Sequence, residues 1–329
     1  MSTFATLTNM AYGTTMQEYF PEIGNDLTTV TWGHAVNSKQ LLQEAIQENL
    51  MMLEADVVLG TLEGGSGDLI PVMAHPPTNT SDLSLKEFLT EVITVTQNGH
   101  RCGIKLDFKS LEVLQPSLDE LQSQSDQVDF PVMLNADILP GPLNSTTKPV
   151  DADQFLTTCV KQFPESTLSI GWTTRYGILI PNASYTQEQV MEMEEVLKKN
   201  NVTQPITFPV RAGIAAKSAD TLTYLKNNTI NSTFTIWGSE SDPVNVDLLR
   251  ELILDVLGRD RVYVDVPKSL MDQLHLSSAK IEHQTTPSTG SSTMSSEKME
   301  RQTTPSTGST TMSSMILLFT SLFTVMYKF

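Results

Sequence analysis

Between residues 25 and 276, short runs of β-branched and aromatic residues alternate with segments of helical spacing, and this alternation strongly constrains the fold. It is typical of βα units around a parallel sheet. The pattern predicts eight strands, at 28–34, 51–58, 103–109, 131–137, 167–172, 206–211, 233–237 and 261–266. It also predicts seven intervening helices, at 39–49, 83–97, 111–124, 152–162, 186–200, 217–226 and 244–257.

Eight parallel strands with intervening helices predict an α/β fold, the TIM (β/α)8 barrel, whose functional side chains project from the carboxyl ends of the strands. A doubly wound sheet is the alternative, but no Gly-rich phosphate-binding turn follows the first strand. An extra apolar run at 69–74 is predicted to form a hairpin arm over the barrel mouth. Only two cysteines are present, which excludes a disulfide scaffold. We interpret Cys102 and Cys159 as buried thiols, with a disulfide between them as the alternative.

The chain divides into four predicted regions. Residues 1–24 lack the basic start and apolar stretch of a signal peptide, and 25–276 form the barrel domain. Residues 277–314 are rich in Ser, Thr and Pro and contain a tandem repeat, because 282–296 and 300–314 differ at only two positions. Such a composition cannot bury a core, so this region is predicted to be an extended stalk without fixed structure. Residues 315–329 form a hydrophobic tail.

The tail and the glycosylation motifs favour the cell surface. The apolar run 315–327 is too short to span a bilayer, but small residues, a polar spacer and a hydrophobic end match a GPI-anchor signal. A tail anchor is the alternative. Asn-x-Ser/Thr motifs predict a glycoprotein, with acceptors at Asn79, Asn144, Asn182, Asn201, Asn227 and Asn231. We therefore expect an extracellular or membrane-anchored protein, although the missing leader conflicts with this expectation.

The charge of the chain excludes one class of partner. The sequence has 38 acidic and 21 basic side chains, for a formal net charge of −17. A polyanion is repelled by the phosphates of nucleic acid. We therefore expect no nucleic-acid partner.

A carboxylate cluster is the strongest chemical signal. Glu54 and Asp56 are two residues apart on one predicted strand, so both side chains lie on the same face. Asp107, on the neighbouring strand, can supply a third oxygen ligand. Burying several carboxylates together without a cation is costly, so a divalent cation, Mg²⁺ or Ca²⁺, is predicted here. In the alternative reading, Lys105 and Lys109 neutralise the acids without metal.

Two histidines flank this cluster, His34 at the end of the first strand and His75 at the end of the hairpin arm. Histidines on either side of a phosphate can take a proton from a nucleophile and give one to a leaving group. A structural, hydrogen-bonded role is the alternative for each. Lys105 and Arg211 are predicted to stabilise the charge on a phosphoryl group, and the guanidinium can contact two phosphate oxygens.

Four further side chains at the strand ends remain candidates. Asn135 and Asp137 either bind metal-bound water or orient their neighbours. Trp172 and Trp237 either stack against a substrate or fill the top layer of the barrel.

Several ordered motifs carry a resemblance to a known family. They are Trp32-Gly-His-Ala-Val-Asn-Ser38, Met51-Met-Leu-Glu-Ala-Asp56, Met73-Ala-His-Pro-Pro77, Gly103-Ile-Lys-Leu-Asp-Phe-Lys109 and Leu134-Asn-Ala-Asp137. The chain resembles the menorin family over residues 19–276. That family resembles, more distantly, the phospholipase C-like phosphodiesterases, which include glycerophosphodiester phosphodiesterases and sphingomyelinase D enzymes. The resemblance implies metal-binding and acid–base roles for His34, Glu54, Asp56, His75 and Asp107.

Two functions follow as hypotheses. The first is a metal-dependent phosphoric diester hydrolase or lyase that acts on a phosphodiester small molecule or a lipid headgroup. The second is a non-enzymatic extracellular ligand that binds a cell-surface receptor through the same barrel. In both, the C-terminal tail would attach the protein to a membrane.

Overall fold

The structure, a computed structural model, describes residues 14–65, 67–143, 145, 147–179 and 182–276. The chain divides after Lys280, and the unit Met1–Lys280 holds all of the described residues. The predicted stalk and hydrophobic tail lie outside them, as does the glycosylation motif at Asn144.

Parallel strands with intervening helices build the fold. The strands are β1 (Trp32–Gly33), β2 (Met52–Leu62), β3 (Ile70–Met73), β4 (Thr80–Ser81), β5 (Gly103–Phe108), β6 (Val132–Pro140), β7 (Thr167–Thr173), β8 (Ile206–Arg211), β9 (Ser232–Trp237) and β10 (Val262–Asp265). The helices are α1 (Met16–Tyr19), α2 (Lys39–Gln47), α3 (Leu85–Gln97), α4 (Leu111–Ser123), α5 (Ala152–Gln162), α6 (Gln187–Lys199), α7 (Ala212–Ala215), α8 (Ala219–Asn228), α9 (Val246–Glu251) and α10 (Lys268–Leu274). A π-helical segment, Leu252–Leu257, continues α9.

The eight main strands follow one another in chain order around the sheet: β1-β2-β5-β6-β7-β8-β9-β10. All seven of these pairings are parallel. The predicted TIM barrel is therefore confirmed, and the doubly wound alternative is wrong because the strand order never reverses. The predicted hairpin arm is also present, because β3 runs antiparallel to the far end of β2.

Side-chain caps explain where several helices begin. The Ser38 hydroxyl accepts from the backbone N–H of Leu41 at the start of α2. Ser84 and Glu87 form a capping box at the start of α3. Such caps satisfy backbone donors that have no partner within the helix. Both helices follow strands, so they start at the carboxyl end of the barrel, and their buried apolar side chains belong to the core.

The first strand is shorter than predicted. The sequence analysis placed it at 28–34, but Leu27–Thr29 forms a 3-10 turn and the strand covers only Trp32–Gly33. The cause is Asp26, whose carboxylate accepts from the backbone N–H of Thr28 at 3.1 Å. A local hydrogen bond of this kind competes with a strand ladder.

The barrel is nearly closed, and side chains bridge the remaining gap. In the described part of the chain, no backbone ladder joins β1 to β10. Instead, the rings of Trp32 and Tyr263 meet edge to face with centroids 5.9 Å apart. Two residues further along each segment, Nδ1 of His34 lies 2.9 Å from an Asp265 carboxylate oxygen. The seam is thus held by an aromatic contact below and a polar contact above.

The segment before β1 covers the base of the barrel. Its apolar side chains pack against three residues of the barrel interior in one cluster: Met16, Phe20, Ile23, Leu27 and Val30 against Met52, Met133 and Tyr263. Arg101 donates to the Tyr19 carbonyl and pairs with Glu22, which ties the segment to the turn before β5. This base segment, residues 14–30, is therefore part of the core.

No helix in the described part of the chain combines the length and the apolar character that a membrane span needs.

The base segment makes a stability prediction. Phe20 is almost fully buried, so Phe20→Ala should lower the free energy of unfolding by about 3–5 kcal/mol through lost burial and a new cavity. Denaturant unfolding measures the change. Met191→Ala on the exposed side of α6 is the control, with an expected change below about 0.5 kcal/mol. Equal stability of the Phe20 variant and the parent protein would show that the base segment is not part of the cooperative core.

Candidate active site at the carboxyl end of the barrel

Three carboxylates converge inside the barrel mouth. The parallel register of β2 and β5 places Glu54 beside Lys105 and Asp56 beside Asp107. Oxygen atoms of Glu54, Asp56 and Asp107 all lie within 4.8 Å of one another. The predicted cluster is therefore assembled, with two of its members on one strand and the third on the next.

The loop between β1 and α2 supplies hydrogen bonds to two of these acids. The backbone N–H of Ala35 donates to Glu54 Oε2 at 2.7 Å, and Ala35 adopts a left-handed conformation with φ 53°. The side chain of Asn37 donates to Asp56 Oδ2 at 2.7 Å and accepts from the Asp56 backbone N–H at 2.9 Å. These donors stabilise the ionised carboxylates, which would otherwise be costly to bury.

Lys109 lies between two of the acids. Its Nζ is 2.6 Å from both Asp56 Oδ1 and Asp107 Oδ2. Burial alone would lower the pKa of Lys109, but the charges of Asp107 and Asp56 raise that pKa well above its usual range. Burial alone would raise the pKa of Asp107, but Lys109 and Lys105 lower it. The lysine network of the alternative reading is thus present around these carboxylates.

His34 is held at one ring nitrogen and open at the other. Its Nδ1 lies 2.9 Å from Asp265 and 3.6 Å from Glu54, while its side chain is 46% exposed. Burial alone would lower the pKa of His34, but the charges of Asp265 and Glu54 raise that pKa to about 10. A carboxylate only accepts, so Nδ1 carries a proton and Nε2 is the atom that faces a ligand.

His75, at the end of the hairpin arm, is also held at Nδ1, by a backbone carbonyl. The Ala74 backbone N–H donates to the Asp56 carbonyl at 3.0 Å, which fixes the end of the hairpin arm against β2. His75 itself is exposed, and its Nδ1 donates to the Pro76 carbonyl at 2.7 Å. Its Nε2 is therefore also the nitrogen that remains for a ligand.

Asn135 and Asp137 border the acidic cluster from β6. Asn135 is opposite Asp107 in the register and hydrogen-bonds to it, while its own oxygen accepts from Ser169 at 2.5 Å. Asp137 is one step higher, where the register of β6 and β7 shifts in a bulge. Burial, together with the charge of Asp107, raises the pKa of Asp137 to about 7.

Arg211 has other partners. Its Nε and Nη2 donate to the two carboxylate oxygens of Asp242, each at 2.8 Å. The guanidinium carbon also lies 5.0 Å from the centroid of Trp237 and 5.6 Å from that of Tyr176. The described contacts of Arg211 are thus with the loop after β9 and with two rings, not with the acidic cluster.

The two tryptophans take packing positions. Trp172 is buried and packs against Tyr185 and Phe208, with ring centroids 5.2 and 6.1 Å away. Trp237 is half-buried beneath the guanidinium of Arg211. Both contacts fit the reading in which these rings fill the upper layer of the barrel.

Sequence reasoning gave no role to two residues that complete the site. Asp265 lies at the end of the last predicted strand, where the sequence analysis assigned it no role, and Asn37 was named only as part of a motif. Their partners are far away in the sequence, 231 residues for the His34 contact and 19 for the Asp56 contact. The polar ends of the last strand and the first loop were the available signals, because both lie at the carboxyl face of a barrel.

Of the predicted glycosylation acceptors, those that fall in the described residues are all exposed: Asn79, Asn182, Asn201, Asn227 and Asn231. Both cysteines are buried free thiols. Burial raises the pKa of Cys102 to about 12. The interpretation of Cys102 and Cys159 as buried thiols is therefore confirmed.

Comparison with known proteins identifies the family. Residues 26–271 match the Menorin N-terminal domain. Protein FAM151B of Homo sapiens is 41% identical over 242 residues, which cover 73% of this chain and 83% of the human protein. The chain is a TIM barrel with acidic side chains and a histidine at its mouth. By these matches, it belongs to the menorin family.

Solved structures with a similar arrangement include a glycerophosphoryl diester phosphodiesterase of Parabacteroides distasonis. It is 12% identical with a TM-score of 0.43, and the match covers 80% of this chain and 89% of that one. PLC21 of S. officinalis is 13% identical with a TM-score of 0.30, over 67% of this chain and 30% of that one. Both likenesses are too distant to assign a substrate.

The raised pKa of Asp137 gives a pH-dependent prediction. The pKa of Asp137 rises from 3.8 to about 7 on folding, so the folded state binds this proton more tightly than the unfolded state. As the pH rises between these values, the unfolded chain loses the proton first, and the free energy of unfolding of the parent protein falls. Asp137→Asn cannot ionise. In EDTA, we expect the variant to gain stability relative to the parent protein as the pH rises from 4 to 7. Thermal unfolding across this range checks the trend, and a stability difference that does not change with pH would contradict it.

Proposed function

We propose that this protein is a divalent-metal-dependent enzyme that cleaves a phosphodiester, by hydrolysis or by cyclisation. One observation carries the proposal. Oxygen atoms of two buried carboxylates and one half-buried carboxylate lie within 4.8 Å of one another, directly beside a partly exposed histidine whose Nδ1 is held by a carboxylate. A cation and a proton donor would thus meet at one point of the mouth.

The donor set fits a hard divalent cation. Glu54, Asp56 and Asp107 offer only oxygen atoms, which Mg²⁺ and Ca²⁺ prefer, and they come from two adjacent rigid strands. These three residues would hold the ion, and its contribution would be to polarise a phosphoryl oxygen and offset the charge there. Lys109 would turn from the carboxylates toward the phosphate, because its long side chain allows this movement.

The protein side chains would handle the protons. Asp265 orients the His34 ring so that Nε2 faces the substrate, and the Pro76 carbonyl does the same for His75. The two histidines would exchange protons with the attacking and leaving oxygens. Lys105, buried beside Glu54, adds positive charge where the phosphoryl group becomes more negative. Because Arg211 is paired with Asp242, we give it no direct role.

We also propose that the protein acts outside the cell or on its surface. Five glycosylation motifs are exposed on the barrel, and the hydrophobic tail has the composition of an anchor signal. The substrate there would be a phosphodiester small molecule or a lipid headgroup.

A metal titration tests the carboxylate site. With Mg²⁺, Ca²⁺ or Mn²⁺ added after EDTA treatment, we expect a saturable rise in unfolding temperature, equivalent to about 2.7 kcal/mol when the ion is at a hundred times its dissociation constant. Glu54→Gln should abolish the rise, whereas Glu63→Gln, an exposed acid just after β2, should retain it. The same Glu54 variant should lose hydrolysis of phosphodiesters. Full activity in that variant would exclude the mechanism.

A second variant tests the orientation of His34. Asp265→Ala removes the partner of Nδ1, so turnover should fall by about ten- to a hundredfold, as is usual when a supporting residue of a site is removed. Asp272→Asn on the exposed side of α10 is the control and should leave turnover unchanged. Unchanged turnover of the Asp265 variant would mean that its contact with His34 only closes the barrel.

The alternative function, a non-enzymatic ligand or receptor module, also has an observation in its favour. Lys109 already contacts both Asp56 and Asp107 at 2.6 Å, which is the geometry of a self-neutralised network. If no cation shifts the unfolding temperature and no phosphodiester is turned over, this reading is favoured. The search would then turn to a cell-surface receptor.

A further inference from the structure

Exposed apolar side chains are concentrated on one face of the barrel. In the described residues, the large hydrophobic side chains that remain exposed are Leu41, Leu69, Leu143, Ile178, Leu179, Met191, Ile230 and Leu248. Only Ile230 lies on the face of the base segment, in the turn between α8 and β9. Six of the others are in loops that follow strands or in the first turns of helices, and Met191 is in the second turn of α6. In a barrel of this topology, loops after strands and first turns of helices lie at the carboxyl end, which is the face of the mouth.

The most exposed of these residues are tips of the loops around the mouth. Leu69 is in the turn of the hairpin between β2 and β3, and Leu143 follows β6. Ile178 and Leu179 are adjacent in the loop after β7, and their exposed fractions are 72% and 94%. Because β2 and β7 are separated by two strands in the sheet, these tips are spread along the rim rather than gathered in one patch.

Single exposed apolar residues are common on soluble proteins. Two adjacent aliphatic side chains as exposed as Ile178 and Leu179 are more costly to keep in water. The rest of the described chain leaves both side chains exposed. Their location, on loops around the strand ends that carry the acids and lysines, gives them a use. Lys105 and Lys109 lie among the acids, deeper in the barrel than these apolar tips.

We propose that the mouth docks onto a zwitterionic lipid surface, with Leu69, Ile178 and Leu179 inserted among the lipids. The proposal deepens the proposed function, because docking in this way would present a phosphodiester headgroup to the carboxylate site. Separate tips suit a lipid surface, which accommodates each of them at a depth of about 5–10 Å. A protein partner would instead require one contiguous complementary patch.

The net charge of the chain favours one kind of lipid surface. The chain carries a formal net charge of −17, so an anionic surface would repel it, and a neutral zwitterionic surface would not. Membrane-binding surfaces that recognise anionic lipids are rich in Lys and Arg, whereas the three tips proposed here are aliphatic. The expected surface is therefore one of phosphatidylcholine type.

A fluorescent label at the mouth tests the proposal in the full-length chain. Leu179→Cys is labelled with an environment-sensitive fluorophore, and Ile230→Cys, 88% exposed on the opposite face, is the matched control. Cys102 and Cys159 are buried and should not react. The label reports only its own surroundings, so vesicle binding by the apolar run 315–327 does not produce a signal at the mouth.

With phosphatidylcholine vesicles, we expect a blue shift at position 179 and none at position 230. Adding Ile178→Glu should weaken the apparent partitioning by about tenfold, which corresponds to about 1.4 kcal/mol. No shift at 179, or equal shifts at both positions, would overturn the docking surface. A shift that requires an added cell-surface protein, or that appears only with anionic vesicles, would also overturn it.

The two proposals fail separately. The shift at 179 should persist in Glu54→Gln, because the insertion of the tips does not require the acids. A shift without any phosphodiester turnover in the parent protein would overturn the proposed function and leave the docking surface. Turnover of a soluble phosphodiester without a fluorescence shift at position 179 would overturn the docking surface and leave the proposed function.

Discussion

The burial of three carboxylates side by side at the top of β2 and β5 is the constraint on which the site depends. Glu54, Asp56 and Asp107 repel one another, and each loses water on folding. Hydrogen-bond donors from the loop after β1 and the ammonium group of Lys109 offset this repulsion. The left-handed backbone at Ala35 contributes, because it directs an N–H toward Glu54. Without a compensating cation, the same side chains would destabilise the barrel.

The site and the closure of the barrel share a contact. His34 directly follows the first strand and Asp265 ends the last, and no ladder joins these two strands among the described residues. Below them, Trp32 and Tyr263 bridge the same seam, and Tyr263 also belongs to the cluster that the base segment completes. The orientation of the histidine is therefore connected to the packing at the base. A change at this seam acts on both stability and the site.

The two ends of the barrel have different surfaces. The base is sealed by residues 14–30 of the chain itself, so its apolar interior is shielded from water. The mouth keeps a polar interior and carries most of the exposed aliphatic side chains of the described residues. Because a TIM barrel supports many unrelated functions, membership of the menorin family does not decide between an enzyme and a binding module. That decision rests on the carboxylates, and on whether a cation or Lys109 is their working partner.

The elements, the fold and the carboxylate pair could all be predicted from the sequence. Strand and helix periods are local properties, so the eight-strand order could be predicted, as could the common face of Glu54 and Asp56. The start of β1 could not, because the side chain of Asp26 diverts the backbone into a turn. The contact of Asp265 with His34 and the pairing of Arg211 with Asp242 became apparent only in the folded chain. These contacts form when the barrel closes and the loops pack. Both events bring together residues that are distant in the sequence, and local periodicity cannot predict such pairs.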